Sequence, residues 1–126
     1  MVVEGLYYTK EHEWVKVEGN TAIVGITDYA QEMLGEITYV ELPKLDKEVD
    51  AGDDLAVVES SKAASDVYSP VAGRVIEVNS ELQTRPELIN EDCYDTGWIC
   101  RMEVTGTDAT NGLLSASDYE QYLKGL

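Results

Sequence analysis

The sequence predicts a mainly β fold, a small barrel or sandwich with short flanking helices and one helix at the carboxyl end. Six or more short apolar or alternating segments predict it, together with the turn residues that separate them at close spacing. The length of 126 residues suits one domain, and no tract rich in Pro, Gly or Ser interrupts the chain as a linker would. We therefore expect residues 1–126 to form a single domain.

The first elements are a hairpin and a short helix. Apolar residues within 15–17 and 22–26 flank the turn-forming segment 18–20, a pattern typical of two paired strands. Thr27 or Asp28 can cap a helix over Asp28–Leu34, and Gly35 can end it. We expect three of its side chains to pack inward, namely those of Tyr29, Ala30 and Met33.

The remaining segments are mostly strands. Residues 37–42 predict a strand that Pro43 closes, and residues 44–54 predict a turn-rich return. Further strands are predicted over 55–59, 67–68, 74–78 and 97–104.

Two short helices complete the prediction. Pro86 can occupy the first turn of a helix that reaches Ile89. At the carboxyl end Ser117 and Glu120 have the spacing of a capping box, which predicts a helix over residues 118–124.

The composition is strongly acidic. Twenty-five Asp and Glu against nine Lys and Arg leave a formal charge of −16. Such a chain repels phosphate backbones and anionic lipid surfaces, so we expect neither a nucleic-acid nor a membrane partner. The charge can serve solubility and a monomeric state, or steering towards basic docking faces.

The cysteines favour a reducing environment, and the apolar runs and first residues bear on the location of the protein. The chain has two cysteines, Cys93 and Cys100, and no CxxC pair or His cluster, so neither a zinc site nor a disulfide framework is predicted. The apolar runs are too short to span a bilayer, and the first residues lack the pattern of a signal peptide. We expect a soluble, cytoplasmic protein.

Catalytic constellations are scarce in this sequence. His12 is the only histidine, there is no Gly-x-Ser-x-Gly segment, and no glycine-rich loop can bind nucleotide phosphates. Ser60, Ser61 and Lys62 lack the Ser-x-x-Lys spacing because position 59 is Glu. These features favour a non-catalytic protein, in which His12 is a packing residue.

Lys62 stands out because of its neighbours. Ser and Ala residues surround it, and Pro70 and Gly73 follow within the same turn-rich region. A lysine at the tip of such a hairpin is open to a modifying enzyme, although an ordinary solvated turn lysine would look the same without further evidence.

The segment around Lys62 resembles a known modification motif. Residues 59–66, Glu-Ser-Ser-Lys-Ala-Ala-Ser-Asp, are similar to the Glu-Ser-Val-Lys-Ala-x-Ser-Asp lipoylation motif of glycine cleavage H proteins. The resemblance extends over roughly residues 5–104, with further family motifs in order: Tyr8-Thr9, His12-Glu13-Trp14-Val15, Val24-Gly25-Ile26-Thr27-Asp28-Tyr29-Ala30-Gln31, Leu34-Gly35, Tyr39-Val40-Glu41-Leu42-Pro43, Tyr68-Ser69-Pro70-Val71, Glu77-Val78-Asn79, Pro86-Glu87-Leu88-Ile89-Asn90 and Gly97-Trp98.

Three departures from the family pattern leave the pathway open. Ser61 replaces a valine, Asp46 stands where the family generally has glycine, and Cys93 stands where a proline is usual. The alternatives are a lipoate-binding protein of H-protein type that carries sulfur intermediates to a heterodisulfide-reductase-like complex in sulfur oxidation, and a store or relay of lipoate.

The resemblance implies a barrel-sandwich hybrid of the lipoyl-domain type and a carrier with lipoate on Lys62. It implies as partners glycine decarboxylase (P protein), aminomethyltransferase (T protein) and dihydrolipoyl dehydrogenase (L protein), between which the arm shuttles an aminomethyl group. A lipoate ligase or lipoyltransferase would attach the cofactor.

The resemblance also implies a cleft in which the loaded arm is sheltered. Two carboxylates of that cleft carry over by motif to Glu13 and Asp66, and Ile26 and Leu34 would form its apolar wall unless they pack in the core. Cys93 precedes a loop, so we expect it to be exposed enough to be a candidate redox thiol.

Overall fold

The structure, a computed structural model, describes residues 2–105 and 109–126. The elements of this part are β1 (Tyr7–Tyr8), β2 (Glu13–Glu18), β3 (Thr21–Ile26), α1 (Asp28–Leu34), β4 (Ile37–Glu41), β5 (Glu48–Val49), β6 (Asp54–Ser60), β7 (Ala64–Tyr68), β8 (Gly73–Val78), α2 (Leu88–Asp92), β9 (Cys100–Val104) and α3 (Ala116–Lys124). A short 3₁₀ helix, Ser80–Gln83, follows β8.

The strands form two antiparallel sheets, which confirms the predicted mainly β fold. One sheet has the order β1-β2-β3-β9-β8-β5 and the other the order β4-β6-β7. Valine and isoleucine side chains of both sheets meet in one core, together with Leu82, Ile89 and Met102. Among the described residues, no helix is long and apolar enough to cross a membrane.

Helix α1 begins and ends where the sequence predicted. The Thr27 side chain accepts a hydrogen bond from the Ala30 amide group, and Gly35 follows the helix at φ 81°. Ala30 and Leu34, four residues apart and so on one helix face, pack against the core. The inward packing expected of Met33 was wrong: its side chain is 62% exposed. It lies roughly 80° around the helix from the midline between Ala30 and Leu34, at 100° per residue, so it points away from the buried side.

Several boundaries after β4 differ from the prediction. Residues 44–54 contain the short strand β5, which pairs with β8. Helix α2 begins at Leu88, two residues after Pro86, and β9 begins at Cys100 rather than at residue 97. Gly97 instead lies against α2, where a Cβ atom would come 2.7 Å from the Leu88 carbonyl oxygen.

The carboxyl-terminal helix forms a second, smaller core. Tyr119 of α3 stacks on Tyr8 of β1, with ring centroids 4.6 Å apart and the planes 2° from parallel. Leu6, Trp14 and Ala116 complete the buried part of this cluster. The cap of α3 is Ser115, whose hydroxyl oxygen accepts from the Asp118 amide group at 3.2 Å, and the predicted cap Ser117 lies inside the helix.

Candidate functional site

A tight hairpin between β6 and β7 presents Lys62. The Ser60 amide group donates to the Ala63 carbonyl oxygen at 2.7 Å, which closes the turn. The Ser60 hydroxyl oxygen accepts from the amide groups of Lys62 at 3.3 Å and Ala63 at 3.1 Å. These bonds satisfy the backbone of the tip without bulky side chains, and Lys62 itself is exposed.

The side chain of Lys62 lies beside the glycine that ends α1. A Cβ atom added at Gly35 would be 3.3 Å from Lys62 Cε and 3.7 Å from its Nζ atom. Gly35 therefore does two things: it adopts a φ of 81°, which side chains disfavour, and it leaves room for the lysine. The sequence pattern predicts only the first of these roles, the end of the helix.

Glu13 is a buried carboxylate with two protein donors. Its side chain is 2% exposed and accepts from the Thr9 hydroxyl group at 2.6 Å and from the Tyr68 amide group at 3.1 Å. Burial raises the pKa of Glu13 to about 7, although both hydrogen bonds act in the opposite direction. The carboxyl group is thus poised between its neutral and charged forms near neutral pH.

Glu13 lines a surface cleft of about 590 Å³ at the base of the β6–β7 hairpin, which we call the Glu13 cleft. Its walls come from the β1–β2 turn, the loop before β6, the end of β7 and the segment before α3. The lining residues are Thr9, Glu11, Glu13, Ala51, Gly52, Tyr68, Ser69, Pro70, Asn111, Gly112 and Leu113. Asp66, Ile26 and Leu34 lie outside this lining.

Asp66 is exposed on β7, between Lys62 and the Glu13 cleft. Its negative charge is the largest cause of the raised pKa of Tyr68, to which the charges of Glu11 and Glu13 also contribute. The negative charges of Asp66 and Glu13 therefore both raise the pKa of Tyr68, which lines the cleft. Neither Tyr68 nor Glu11 was predicted as a site residue, although Tyr68 belongs to one of the family motifs and Glu11 directly precedes another.

The two apolar residues expected as a cleft wall have different surroundings. Ile26 is 4% exposed and belongs to the main core, so core packing accounts for it. Leu34 is half-buried at the end of α1, next to Gly35.

The expectation that Cys93 is exposed was wrong. Its side chain is 6% exposed, and burial, with the negative charges of Asp28 and Asp92, raises the pKa of the thiol to about 12. Exchange with a dithiol requires access and thiolate character, and this environment opposes both. Cys100 is fully buried, as expected of a small core residue. In residues 2–105 and 109–126, no group of His, Cys, Asp and Glu side chains is arranged to hold a metal ion.

The fold is antiparallel, with an exposed lysine at the tip of a hairpin and an acidic cleft at the base of that hairpin. This arrangement is typical of the class of lysine-bearing carrier domains. Comparison with known proteins identifies the family within this class. The family model of the glycine cleavage H-protein matches residues 6–126.

Individual relatives agree with the family match. The glycine cleavage system H protein of Alkaliphilus oremlandii is 57% identical over 120 residues, which are 95% of this chain and 94% of that protein. That of Carboxydothermus hydrogenoformans is 50% identical over 124 residues, 98% of this chain and 95% of the relative. The crystal structure of a glycine cleavage system H protein from Mycobacterium marinum superposes with a TM-score of 0.89 at 35% identity, covering 99% of this chain and 100% of that one.

The chain belongs to the glycine cleavage H-protein family, the lipoyl carriers of glycine cleavage. This confirms the resemblance found in the sequence. The relatives give no support to the alternative role in sulfur oxidation.

Proposed function

We propose that Lys62 bears lipoate in amide linkage and that the chain carries an aminomethyl group between the enzymes of the glycine cleavage system. The observation that carries the proposal is the exposed Lys62 at the hairpin tip, with Gly35 leaving space beside its Cε atom. When bound, lipoate supplies a dithiolane ring that undergoes redox and group-transfer chemistry.

The hairpin suits attachment of a cofactor. The turn bonds made by Ser60 fix the direction of the tip, while the small neighbours leave the Lys62 amine open to a lipoate ligase or lipoyltransferase. Amide formation removes the ammonium charge of Lys62. A tether of this kind gives an effective concentration on the order of millimolar at an enzyme on which the domain docks.

Glu13 binds the cationic amine of the cargo in the Glu13 cleft. Its pKa of about 7 means that an approaching ammonium group favours the charged carboxylate, so binding is coupled to loss of a proton from Glu13. A charge-assisted hydrogen bond to the ammonium group contributes roughly 1.5 to 3 kcal/mol. The walls of the cleft limit the access of water.

Asp66 attracts the same amine on its way to the cleft. It lies four residues beyond Lys62 and two residues into the strand β7, about 7 Å along the strand axis from Ala64 at roughly 3.3 Å per residue. The exposed Asp66 carboxylate is solvated, so its contribution is steering, and the tighter contact belongs to the buried Glu13.

The partners follow from the chemistry of the cargo. Glycine decarboxylase loads the aminomethyl group, aminomethyltransferase removes it, and dihydrolipoyl dehydrogenase reoxidises the dithiol. The formal charge of −16 favours docking on basic faces of these enzymes.

Intact mass measurement after incubation with lipoate, ATP and a lipoate ligase tests the attachment site. We expect the mass to rise by one lipoyl group in the native protein and in Lys44→Arg, a control at another exposed lysine. Lys62→Arg keeps the charge and should gain no lipoyl group. A lipoyl group on Lys62→Arg, or on another lysine in a peptide map of the native protein, would refute the proposal.

A further inference from the structure

The hydroxyl group of Tyr119 connects two segments that are distant from it in sequence. Its oxygen atom lies 2.8 Å from Nδ1 of His12 and 2.8 Å from the hydroxyl oxygen of Thr27, within hydrogen-bond distance of both. Tyr119 is fully buried and is held by stacking on Tyr8. The bond to Thr27 is buried and the bond to His12 is partly buried, so loss of the Tyr119 hydroxyl group leaves polar atoms with little access to water.

Both partners of Tyr119 are connected to the turn that carries the cleft carboxylates. Thr27 is the cap of α1, and its amide group donates to the His12 carbonyl oxygen at 3.0 Å. His12 stands between Glu11 and Glu13, the two carboxylates of the cleft lining. The turn that carries the cleft carboxylates is thus tied to the start of α1 and to α3.

His12 has a backbone conformation that side chains disfavour. Its φ angle is 69°, in the left-handed region that costs a non-glycine residue free energy. Its ring is hydrogen-bonded to Tyr119 and also contacts the rings of Tyr29, with centroids 4.4 Å apart, and Tyr122, with centroids 6.0 Å apart. Without the first contact, the turn can relax and change the direction of the Glu13 side chain.

The carboxyl-terminal segment also lines the cleft directly. Asn111, Gly112 and Leu113 form part of its wall, and Leu114 exchanges backbone hydrogen bonds of 2.8 Å with Tyr8 just before α3 begins. The carboxyl-terminal segment therefore meets the Glu13 cleft in two ways: it forms part of the cleft wall, and Tyr119 bonds to the turn that carries the cleft carboxylates.

We propose that Tyr119 is a positioning residue of the Glu13 cleft. Through its hydroxyl group it holds the His12 turn and the start of α1 in fixed relation, which keeps the Glu13 carboxylate directed at the cleft. The inference rests on the proposed function for the meaning of the cleft, but its first test needs no lipoate.

The test compares Tyr119→Phe with two matched variants. Tyr119→Phe keeps the ring and its stacking but loses both contacts. Tyr8→Phe removes the hydroxyl of the stacking partner, which within the described residues bonds to the backbone of Val3 alone, at 2.6 and 2.8 Å. Tyr122→Phe removes a hydroxyl of α3 that bonds to the Lys10 carbonyl oxygen at 3.3 Å.

The first measurement is an NMR titration of the Glu13 carboxyl carbon in the unlipoylated protein. We expect the titration midpoint to move towards the ordinary value of glutamate in Tyr119→Phe, because the relaxed turn admits water, and to stay near the native value in the two controls. A native titration curve in Tyr119→Phe, or an equal shift in Tyr8→Phe, would overturn the proposal in favour of simple helix docking.

The second measurement uses lipoylated protein loaded by glycine decarboxylase and then isolated from the other enzymes. We expect Tyr119→Phe to release formaldehyde roughly fivefold faster than the controls, the factor that one net hydrogen bond represents. Equal release rates in all variants would count against the positioning role. If the native protein cannot be lipoylated or loaded, the proposed function fails and the titration alone decides about Tyr119.

Discussion

At the scale of single residues, Glu13 shows how the fold changes the chemistry of a common side chain. Two donors, from Thr9 and Tyr68, would normally keep a carboxyl group acidic, yet burial outweighs both. An exposed glutamate at the same position would be charged throughout the neutral range and would bind a cation only weakly. Burial makes the charge of Glu13 sensitive to pH in the neutral range.

The raised pKa predicts a pH dependence of stability that Glu13→Gln should remove. The pKa is higher in the folded state, about 7 against 4.5, so the stabilisation is complete below the lower value and is lost as the pH rises to the higher one. The free energy of unfolding of Glu13→Gln relative to the native protein should therefore increase by roughly 3 kcal/mol between pH 4.5 and 8.

Chemical denaturation of both proteins at several pH values measures this difference, in which the other titrating groups cancel. Glu18→Gln serves as the control, because Glu18 is exposed. A stability difference between Glu13→Gln and the native protein that is independent of pH would show that Glu13 titrates normally in the folded state.

Substitution of Gly35 should affect both the stability of the fold and the lipoylation of Lys62, and a control glycine separates the two effects. Gly35→Ala places a Cβ atom 3.3 Å from Lys62 Cε at a φ of 81°, whereas Gly19→Ala has a φ of 61° and no atom within 4 Å. Both variants should lose about 1 kcal/mol or more of stability through backbone strain. Only Gly35→Ala should also slow lipoylation of Lys62, measured as the initial rate with a lipoate ligase. Equal lipoylation rates in the two variants would contradict the role of Gly35 as space for the lysine.

At the scale of elements, the sequence pattern and the folded structure select different residues as the cap of α3. Ser117 and Glu120 satisfy the sequence pattern of a capping box, but Ser115 has the extended backbone and the hydrogen bond of a true cap. Ser115→Ala should cost about 1 kcal/mol of stability, and Ser117→Ala, at an exposed site within the helix, should cost much less. Thermal unfolding of the two variants checks this, and a larger loss in Ser117→Ala would reverse the assignment.

Elements with a local signal were predictable from the sequence. The cap and the terminal glycine of α1 lie within the helix or next to it, so propensity was enough to place both ends. The ends of α2 and β9 depend instead on the close approach of Gly97 to Leu88, which no local pattern contains. The burial of Cys93 is likewise a tertiary effect, since its carbonyl oxygen accepts from the Trp14 ring nitrogen across 79 positions of sequence.

The site residues were likewise predictable where they lie in continuous motifs, and not where their role depends on contacts that the fold creates. Motif resemblance selected Lys62, Glu13 and Asp66 because each lies within a continuous segment. The contact of Lys62 with Gly35 and the bonds of Tyr119 join segments that only the fold brings together. Residues whose role lies in such contacts have no signature of their own in a single sequence.

At the scale of the whole molecule, the proposed role requires that the acidic charge and the hairpin together favour docking on partner enzymes. The formal charge of −16 acts over distances comparable to the Debye length, which is about 10 Å at 0.1 M salt. Acidic side chains also stand close to the tip, since Glu32 and Glu36 are exposed at the end of α1, beside Gly35. A basic docking face would therefore be attracted first to the molecule and then to the region of Lys62.

This arrangement predicts a strong salt dependence of the reaction with glycine decarboxylase. The KM for the lipoylated carrier should rise severalfold between 0.05 and 0.5 M salt, because screening weakens the encounter, while kcat changes little. The double variant Glu32→Gln and Glu36→Gln should raise KM at low salt and flatten its salt dependence, because it removes charge beside the docking tip. Glu18→Gln with Glu48→Gln removes the same charge at exposed positions of β2 and β5, in the other sheet, and should have a smaller effect. If both double variants raise KM equally, net charge alone governs docking; if neither does, the acidic surface serves solubility.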